Sequence, residues 1–319
     1  MKVSVLVPVY GVEKYIRACA RTLFGQTYKD LEYIFVDDCS PDHSVEVLQR
    51  VLEDYPLRKT QVRIIHNERN RGLGATRSIA LAAATGDFVI YVDSDDLLTT
   101  DAVEKLCHCQ HETGADIVSG AYRRLLSDES KGDVTLPFRG NPDTILRLML
   151  AQNTISHNVW GRLIRRSLHT DHNVDFIDGI NMAEDFCIMT RLMFVATTHA
   201  CVDDTIYYYR VNECGTFMSW LTEKHMRSYL EASRVIGEFL TGRDTEGRFT
   251  FPYELGMLNS LYHALAVFKR SQIEAICPYH PTHKLFRCCR LLSCCRCIRP
   301  LLRVVYLVIK NQYVKRCHK

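Results

Sequence analysis

The chain has 319 residues, of which 47% are hydrophobic and 24% charged, a globular composition with enough length for one large or two modest domains. Its net charge of +3 hides an asymmetry, because nine Lys or Arg and no acid lie between Arg287 and Lys319, leaving the other 286 residues with about −6. No stretch reaches the ~18 apolar residues of a spanning helix, and Pro8, Tyr10 and Gly11 break the run after Lys2 before it can serve as a signal peptide. A cytoplasmic location is therefore expected, and the 14 Cys read as thiols, with no paired CxxC motifs at zinc spacing.

Val3 to Val9 reads as a buried strand ending at Pro8. Val12, Tyr15, Ile16, Cys19 and Leu23 follow on one helical face, and Gly25 marks its end. Leu31 to Val36 is a second strand, running into Asp37-Asp38-Cys39-Ser40. Pro41, Asp42 and Ser44 open a helix to about Tyr55, and Gln61 to His66 is a third strand. The turn Asn70-Arg71-Gly72-Leu73-Gly74 precedes an Ala-rich helix over Ala75 to Ala84. Phe88 to Val92, bounded by Gly86, is a fourth strand.

Four apolar, unalternating strands separated by helices predict a parallel sheet covered on both faces. Ligands of such sheets sit beyond the carboxyl ends of the strands. Three polar or turn features fall there: Pro8-Val9-Tyr10, Asp37-Asp38, and Asp93-Ser94-Asp95-Asp96. The last places three carboxylates within four residues after a buried strand, an arrangement that favours a nearby cation. Its D-x-D spacing suits Mg²⁺ or Mn²⁺ shared with phosphate oxygens. The alternative is that these acids cap a helix starting near Thr99. The Gly72-x-Gly74 turn is no dinucleotide fingerprint, since Arg77 stands where the third Gly belongs and the turn follows the third strand.

Taken in order, these segments resemble the nucleotide-binding half of family-2 inverting glycosyltransferases with the GT-A fold, of the bacterial polysaccharide type. The matching pieces are Val7-Pro8-Val9-Tyr10 with Glu13 and Tyr15, Gln26-Thr27-Tyr28, Phe35 to Asp42, Asn70 to Arg77 and Gly86 to Asp96, over about residues 1–125. Cys39 stands where the family usually has Gly, and Ser78 where it often has Asn. The resemblance implies an α/β fold with a Rossmann-type, mostly parallel sheet flanked by helices and a helical C-terminal extension. It implies that Pro8 and Tyr10 line the base pocket, that Asp37 or Asp38 accepts a hydrogen bond from the base, and that Arg77 lies near the base or phosphates. Asp93, beside Ser94, would contact the ribose and share the metal with Asp95, the ion being Mn²⁺ or Mg²⁺. Asp96 is left between this site and a helix cap.

From Asp101 to Gly114 a helix is expected, then a strand over Ala115 to Tyr122, a loop or ribbon to Gly140 and a helix from Pro142 to Ala151. Asn158 to Arg165 resembles the family's tryptophan-bearing segment, with Trp160 either stacking on an acceptor sugar or packing in the core. Glu184-Asp185 opens a helix with Phe186, Met189 and Met193 on one face. Acids in a first turn favour the helix dipole, whereas the resemblance implies that Asp185 is the general base and puts Glu184 on the acceptor side. Tyr207-Tyr208-Tyr209-Arg210 matches an aromatic run whose basic residue closes over the donor diphosphate in the family; an edge-strand surface is the alternative.

Leu221 to Gln272 reads as about two helices broken near Thr241-Gly242. The expected division is a catalytic domain over 1–215 (nucleotide-sugar half 1–125, acceptor half 126–215), a helical extension over 216–285, and a basic, Cys-rich tail over 286–319. In that tail Leu301, Val304, Val305 and Val308 share a helical face, which suits contact with an anionic membrane surface through 287–319 at the inner face of the membrane. A helix packed on the body is the alternative. Nucleic-acid binding lacks any supporting motif, and the doublets Cys288-Cys289 and Cys294-Cys295 fit no standard zinc spacing.

The activity expected is metal-dependent, inverting transfer from a nucleotide diphosphate sugar, a UDP sugar first, to a hydroxyl of a glycan or lipid-linked acceptor. A non-catalytic nucleotide-sugar or glycan-binding scaffold and a nucleotidyltransferase are the rival readings. The second would place a Gly-rich basic loop where Tyr10-Gly11-Val12-Glu13 stands.

Overall fold

A computed structural model describes residues 1–152, 154–211, 222–292 and 299–317. In chain order its elements are β1 (Val3–Val9), α1 (Ile16–Phe24), β2 (Leu31–Asp37), α2 (Ser44–Glu53), β3 (Val62–His66), α3 (Leu73–Ala83), β4 (Phe88–Tyr91), β5 (Leu97–Leu98), α4 (Ala102–Thr113), β6 (Ile117–Leu125) and β7 (Lys131–Thr135). There follow α5 (Pro142–Ala151), β8 (Arg162–Arg165), α6 (Ser167–Thr170), α7 (Glu184–Val195), β9 (His199–Arg210), α8 (Glu223–Thr241), α9 (Thr250–Ala264), α10 (Arg270–Ile276), α11 (Lys284–Leu292) and α12 (Arg299–Cys317). They form two compact units. The first comprises Met1–Asn141, Val159–Gly179 and Val195–Gly215, and the second Pro142–Asn158, Ile180–Phe194 and Thr216–Lys319.

The first unit carries a sheet of nine strands among the described residues, in the order β3-β2-β1-β4-β8-β6-β9-β5, with β7 added to β6. The pairs β3-β2, β2-β1 and β1-β4 are parallel, as the unalternating apolar runs predict. β8 runs against β4 and β6, and β6 lies parallel to β9. In β1, Val3, Val5, Leu6, Val7 and Val9 are all at most 1% exposed, and each such side chain contributes roughly 1.5–3 kcal/mol of burial. α1 covers this sheet with Ile16, Cys19, Ala20, Leu23 and Phe24. Gly86 leads into β4 at a point where a Cβ would come within 2.7–2.9 Å of Ser4 and Lys2 atoms, so the chain approaches β1 there only without a side chain.

The ribbon after β6 is a hairpin, β6 pairing antiparallel with β7. The sheet also holds a partly buried histidine. His199 on β9 has Nδ1 3.1 Å from the Gly140 carbonyl and Nε2 2.9 Å from Ser119 Oγ, which also accepts from the Arg162 guanidinium. Burial, and then the Arg162 charge, push its pKa from 6.5 down to about 4. A group depressed in this way contributes stability that is complete above its unfolded pKa near 6.5 and is lost as pH falls towards 4. Between pH 7 and 4 the protein should therefore lose on the order of 2–3 kcal/mol more unfolding free energy than His199→Gln. Urea unfolding of both proteins at the two pH values measures the difference, and parallel losses would show that His199 does not titrate as described.

In the second unit α8 and α9 are the two helices read over Leu221 to Gln272, with the break at Gly242 where expected, and the short α10 begins at the end of that region. α12 is held to this unit by buried polar contacts. Tyr306 Oη lies 3.1 and 2.8 Å from the carbonyls of Ala151 and Gln152, and Arg303 donates to Asn259 Oδ1 at 2.8 Å. Asn259 and Ser260 in turn bond the Gln152 amide. Leu302 and Tyr306 form the buried face of α12. Leu301, Val304 and Val308 of the expected apolar stripe are 51%, 55% and 53% exposed, while Val305 is partly buried against the unit's core. Cys294, Cys295, Arg296 and Cys297 lie outside the described residues.

Candidate active site

The carboxyl ends of β1, β2 and β4 form one rim of the first unit. At the end of β2, Asp38 donates its N–H to the Val9 carbonyl and so fastens the ends of two strands together. Its carboxylate accepts from Asn67 Nδ2 at 2.7 Å and from the backbone N–H groups of Arg71 and Gly72, each at 2.8 Å. Gly72, with φ +85°, then opens α3. Asp38 thus braces the glycine turn. Asp37 accepts from Ser40 N at 3.0 Å and lies 3.1 Å from His66 Nδ1, one partner on each oxygen, so it retains more acceptor capacity than Asp38. Cys39 has φ +62°, a left-handed conformation that glycine adopts at lower cost.

The β1–α1 turn is tied to the β2–α2 turn. Val12 N donates to Ser44 Oγ, Glu13 N to Asp42, and His43 N back to Glu13. Pro8 is buried, paired in register with Val36, and Tyr10 stands 51% exposed just beyond β1.

α3 delivers Arg77 to the end of β4. Arg77 is 1% exposed and donates from Nη2 to Asp93 Oδ1 at 2.6 Å. Its guanidinium carbon lies 5.7 Å from the centre of the Phe176 ring. The segment carrying Phe176 is strapped to α3 by Ser78 Oγ donating to Asp175 at 2.7 Å and by the Arg71–Asp178 ion pair. Neither Phe176 nor its strap had a recognisable signal in the sequence.

The Asp93–Asp96 turn is clamped by the end of β9. Tyr207 Oη accepts from Asp93 N at 3.1 Å and donates to Asp96 Oδ2 at 2.7 Å. Arg210 donates its backbone N–H to Asp96 Oδ1 at 2.6 Å and its Nε–H to the Asp95 carbonyl at 3.0 Å. Asp96 is completely buried. Burial first, then the charges of Asp95 and Asp93, raise its pKa well above the usual carboxylate range, while the bonds from Arg210 and Tyr207 oppose that shift. Asp96 therefore anchors the turn. The helix cap expected as the alternative does not occur: α4 starts at Ala102, behind Asp101, and β5 intervenes.

Ser94 is buried, Asp93 and Asp95 are partly exposed on the turn, and Arg210 is 7% exposed with its guanidinium carbon 4.9 Å from the centre of the Tyr15 ring. Trp160 is 7% exposed, stacked on Tyr207 and Tyr209 at ring distances of 4.5 and 5.2 Å and edge-on to Tyr122. It packs in the core, one of the two roles open from the sequence, and backs the tyrosine that holds Asp96.

Asp93 and Asp95 fit an ion of the Mg²⁺ or Mn²⁺ kind, which takes one or two carboxylates and completes its shell with phosphate oxygens and water. Among the described residues no group of three or more His, Cys, Asp or Glu is placed to hold a metal ion. Two carboxylates on one turn, beside a third that is buried and anchored, are a donor set that a cation would relieve electrostatically.

Glu184 and Asp185 open α7 in the second unit, both partly buried. The approach to α7 is fixed by Ser228 of α8, whose Oγ accepts from Asn181 N at 3.1 Å and Met182 N at 3.0 Å. Ala183 then turns with φ +66°, and Phe186 packs its ring against His157 and Tyr229.

Comparison with known proteins matches residues 4–172 to the family model described as glycosyl transferase family 2. The chain is similar to the putative glycosyltransferase EpsH of Bacillus subtilis, 29% identical over 241 residues, covering 74% of this chain and 67% of EpsH. It is 32% identical over 216 residues to the uncharacterized glycosyltransferase EpsJ of the same organism, covering 66% of this chain and 61% of EpsJ. Among solved structures, S. aureus TarS 1–349 in complex with UDP-GlcNAc superposes with a TM-score of 0.64 at 21% identity, over 95% of this chain and 92% of that one. The mannosyltransferase PcManGT of Pyrobaculum calidifontis, in complex with GDP-Man and Mn²⁺, gives a TM-score of 0.55 at 16% identity, over 98% and 86%. These likenesses agree with the GT-A-like α/β architecture and helical C-terminal region expected from the sequence.

Proposed function

Because the chain belongs to glycosyl transferase family 2, and is thereby a glycosyltransferase, we propose that it moves a sugar from a nucleotide diphosphate sugar, a UDP sugar first, to a hydroxyl of a glycan or lipid-linked acceptor, with inversion. The observation that carries this reading is the clamped turn at the end of β4, where Arg77 holds Asp93 while Tyr207 and Arg210 hold Asp95 and Asp96. Similar proteins whose structures were solved in complex with UDP-GlcNAc and with GDP-Man and Mn²⁺ support the donor class.

In this reading Pro8 and Tyr10 flank the base, and Asp37, with acceptor capacity to spare, receives its imide N–H. Asp38 acts through the glycine turn that it braces. Arg77 orients Asp93 towards the ribose. Asp93 and Asp95 would hold the divalent ion, which when bound neutralises charge on the departing diphosphate. Arg210 keeps the turn in shape and lends a positive charge beside it. Asp185 takes the proton of the acceptor hydroxyl as that oxygen attacks the anomeric carbon. Attack from the face opposite the leaving group inverts the configuration, and no protein nucleophile is required.

A panel of UDP and GDP sugars with Mn²⁺, scored by thermal shift and by nucleotide release with mixed acceptors, tests the reading. A true donor raises the melting temperature by mass action. A shift without release would favour a binding scaffold.

For the acceptor side we propose an anionic membrane surface approached through α12. Leu301, Val304 and Val308 stand exposed on one side of this helix, Lys315 and Arg316 follow near its end, and no acid occurs after Glu274. None of the helices among the described residues is long and apolar enough to cross a membrane, so the contact proposed is peripheral. The protein should sediment with phosphatidylglycerol vesicles and not with phosphatidylcholine vesicles. Replacing all three aliphatic residues by Ser should reduce the bound fraction several-fold, and equal binding of the triple variant would refute this contact.

A further inference from the structure

We propose that Glu129, at the tip of the β6–β7 hairpin, is a built-in anion that occupies Arg210 in the donor-free protein and gives way to the donor diphosphate. The inference rests on the donor reading above, because the guanidinium concerned holds the backbone of Asp95.

Arg210 is buried, with Nε committed to the Asp95 carbonyl and its plane beside Tyr15. Its Nη1 donates to Glu129 Oε1 at 2.6 Å. The two partners differ in exposure: the Arg210 side chain is 7% exposed and that of Glu129 is 65% exposed. A carboxylate so open to water gains little from an ion pair, and a metal-bound diphosphate presents more oxygens and more charge to the same guanidinium.

The backbone supplies a second, independent observation. Leu126 N bonds to the Ser130 carbonyl and Glu129 N to the Leu126 carbonyl, so Glu129 occupies the hairpin position before the strand resumes, with φ +64°. Glycine or asparagine suits that conformation far better than glutamate. A glutamate held in a disfavoured conformation against a buried guanidinium points to a function for its charge.

Glu129 also adds negative charge to a region already holding Asp93, Asp95 and Asp96, and in that position it opposes an incoming diphosphate. Its displacement frees one guanidinium edge and moves one carboxylate away from the phosphates. The hairpin thus sets a threshold on donor affinity, and that threshold weighs on ligands whose diphosphate competes for Arg210 more than on nucleoside monophosphates.

The test is calorimetric titration of UDP, and separately UMP, with Mn²⁺ into the full chain as wild type, Glu129→Gln, Glu129→Gly and Asp128→Asn. The first two variants should bind UDP about 3–10-fold more tightly, a gain of the size expected for removing one exposed charge partner, and should bind UMP with a smaller gain. Glu129→Gly should also melt higher, because the left-handed conformation is then unstrained. Asp128, an exposed acid one residue away whose carboxylate accepts from Ser130 N and Oγ, reports generic charge removal and should leave UDP affinity unchanged. If wild type binds UDP and neither Glu129 variant binds it more tightly, or if Asp128→Asn tightens it equally, the inference is overturned. If UDP binds to none of the four proteins, the donor reading falls and the inference falls with it.

Discussion

Asp185→Asn is expected to slow sugar transfer by about 10²–10⁴-fold, the range in which a positioned general base contributes. The substitution keeps the side chain's shape at the first turn of α7 and removes its ability to take a proton. Two roles compete for this residue. As an acid in the first turn it also favours the helix dipole, an effect worth about 0.3–1 kcal/mol. If that were its whole role, the variant would melt slightly lower and transfer at nearly the wild-type rate. If it is the base, kcat collapses while the dissociation constant of the donor, measured without acceptor, stays within about twofold. The approach to α7 is held by Ser228 and by Phe186 packing, neither of which involves the carboxylate.

The second large effect is expected at Asp95. Its backbone carbonyl is held by Arg210 Nε and its neighbour Asp96 is anchored by Tyr207 and by the backbone of Arg210. Replacing Asp95 by Asn should therefore leave the turn intact and act mainly on metal and donor. Activity should fall by roughly 10²–10³-fold, equivalent to about 3–4 kcal/mol of lost charge stabilisation. Mn²⁺ should no longer tighten UDP binding in the variant. Chelation with EDTA should depress wild type towards the level of the variant and leave the variant nearly unchanged, since both operations remove the same contribution. A variant that retains full metal-stimulated transfer would remove Asp95 from the metal site. Asp96→Asn is a different experiment: it loosens a buried anchor with two donors aimed at it, and its first consequence should be lowered stability.

The parallel half of the sheet was readable because β1, β2 and β4 are apolar without alternation and end in turn residues. Gly25 and Gly114 ended helices at the expected points, Gly114 with a left-handed φ of +68°. The rim residues were readable for the same reason, since strand ends were predictable and each carried a polar cluster. What could not be read is what the polar groups hold. Asp38 looks like an open carboxylate in a string of letters, yet three donors surround it, the Asn67 amide and two backbone N–H groups of the glycine turn. Asp96 was left between site and cap because its partners, Tyr207 and Arg210, lie 111 and 114 residues away. Trp160 offered a sugar platform until the alternation of Tyr207 and Tyr209 put both rings against it. In α12 the aliphatic residues at positions 301, 304 and 308 stand exposed, and the residues the core receives, Leu302 and Tyr306, had no signal in the sequence. Pairings over a hundred residues leave no periodic trace, and local patterns do not say which of two faces will be buried.

The chain threads back and forth between its two units, leaving the first after Asn141, returning at Val159, leaving again after Gly179, returning at Val195 and departing finally after Gly215. No single cut in the polypeptide releases either one. Trimming everything after residue 215 would strand α5 and α7 without the helices they fold with, and the lost material would include Ser228, which steers the lead into Asp185. The carboxy-terminal helices are thus scaffolding for the proposed base and could not be exchanged as a module without rebuilding the segments threaded into them.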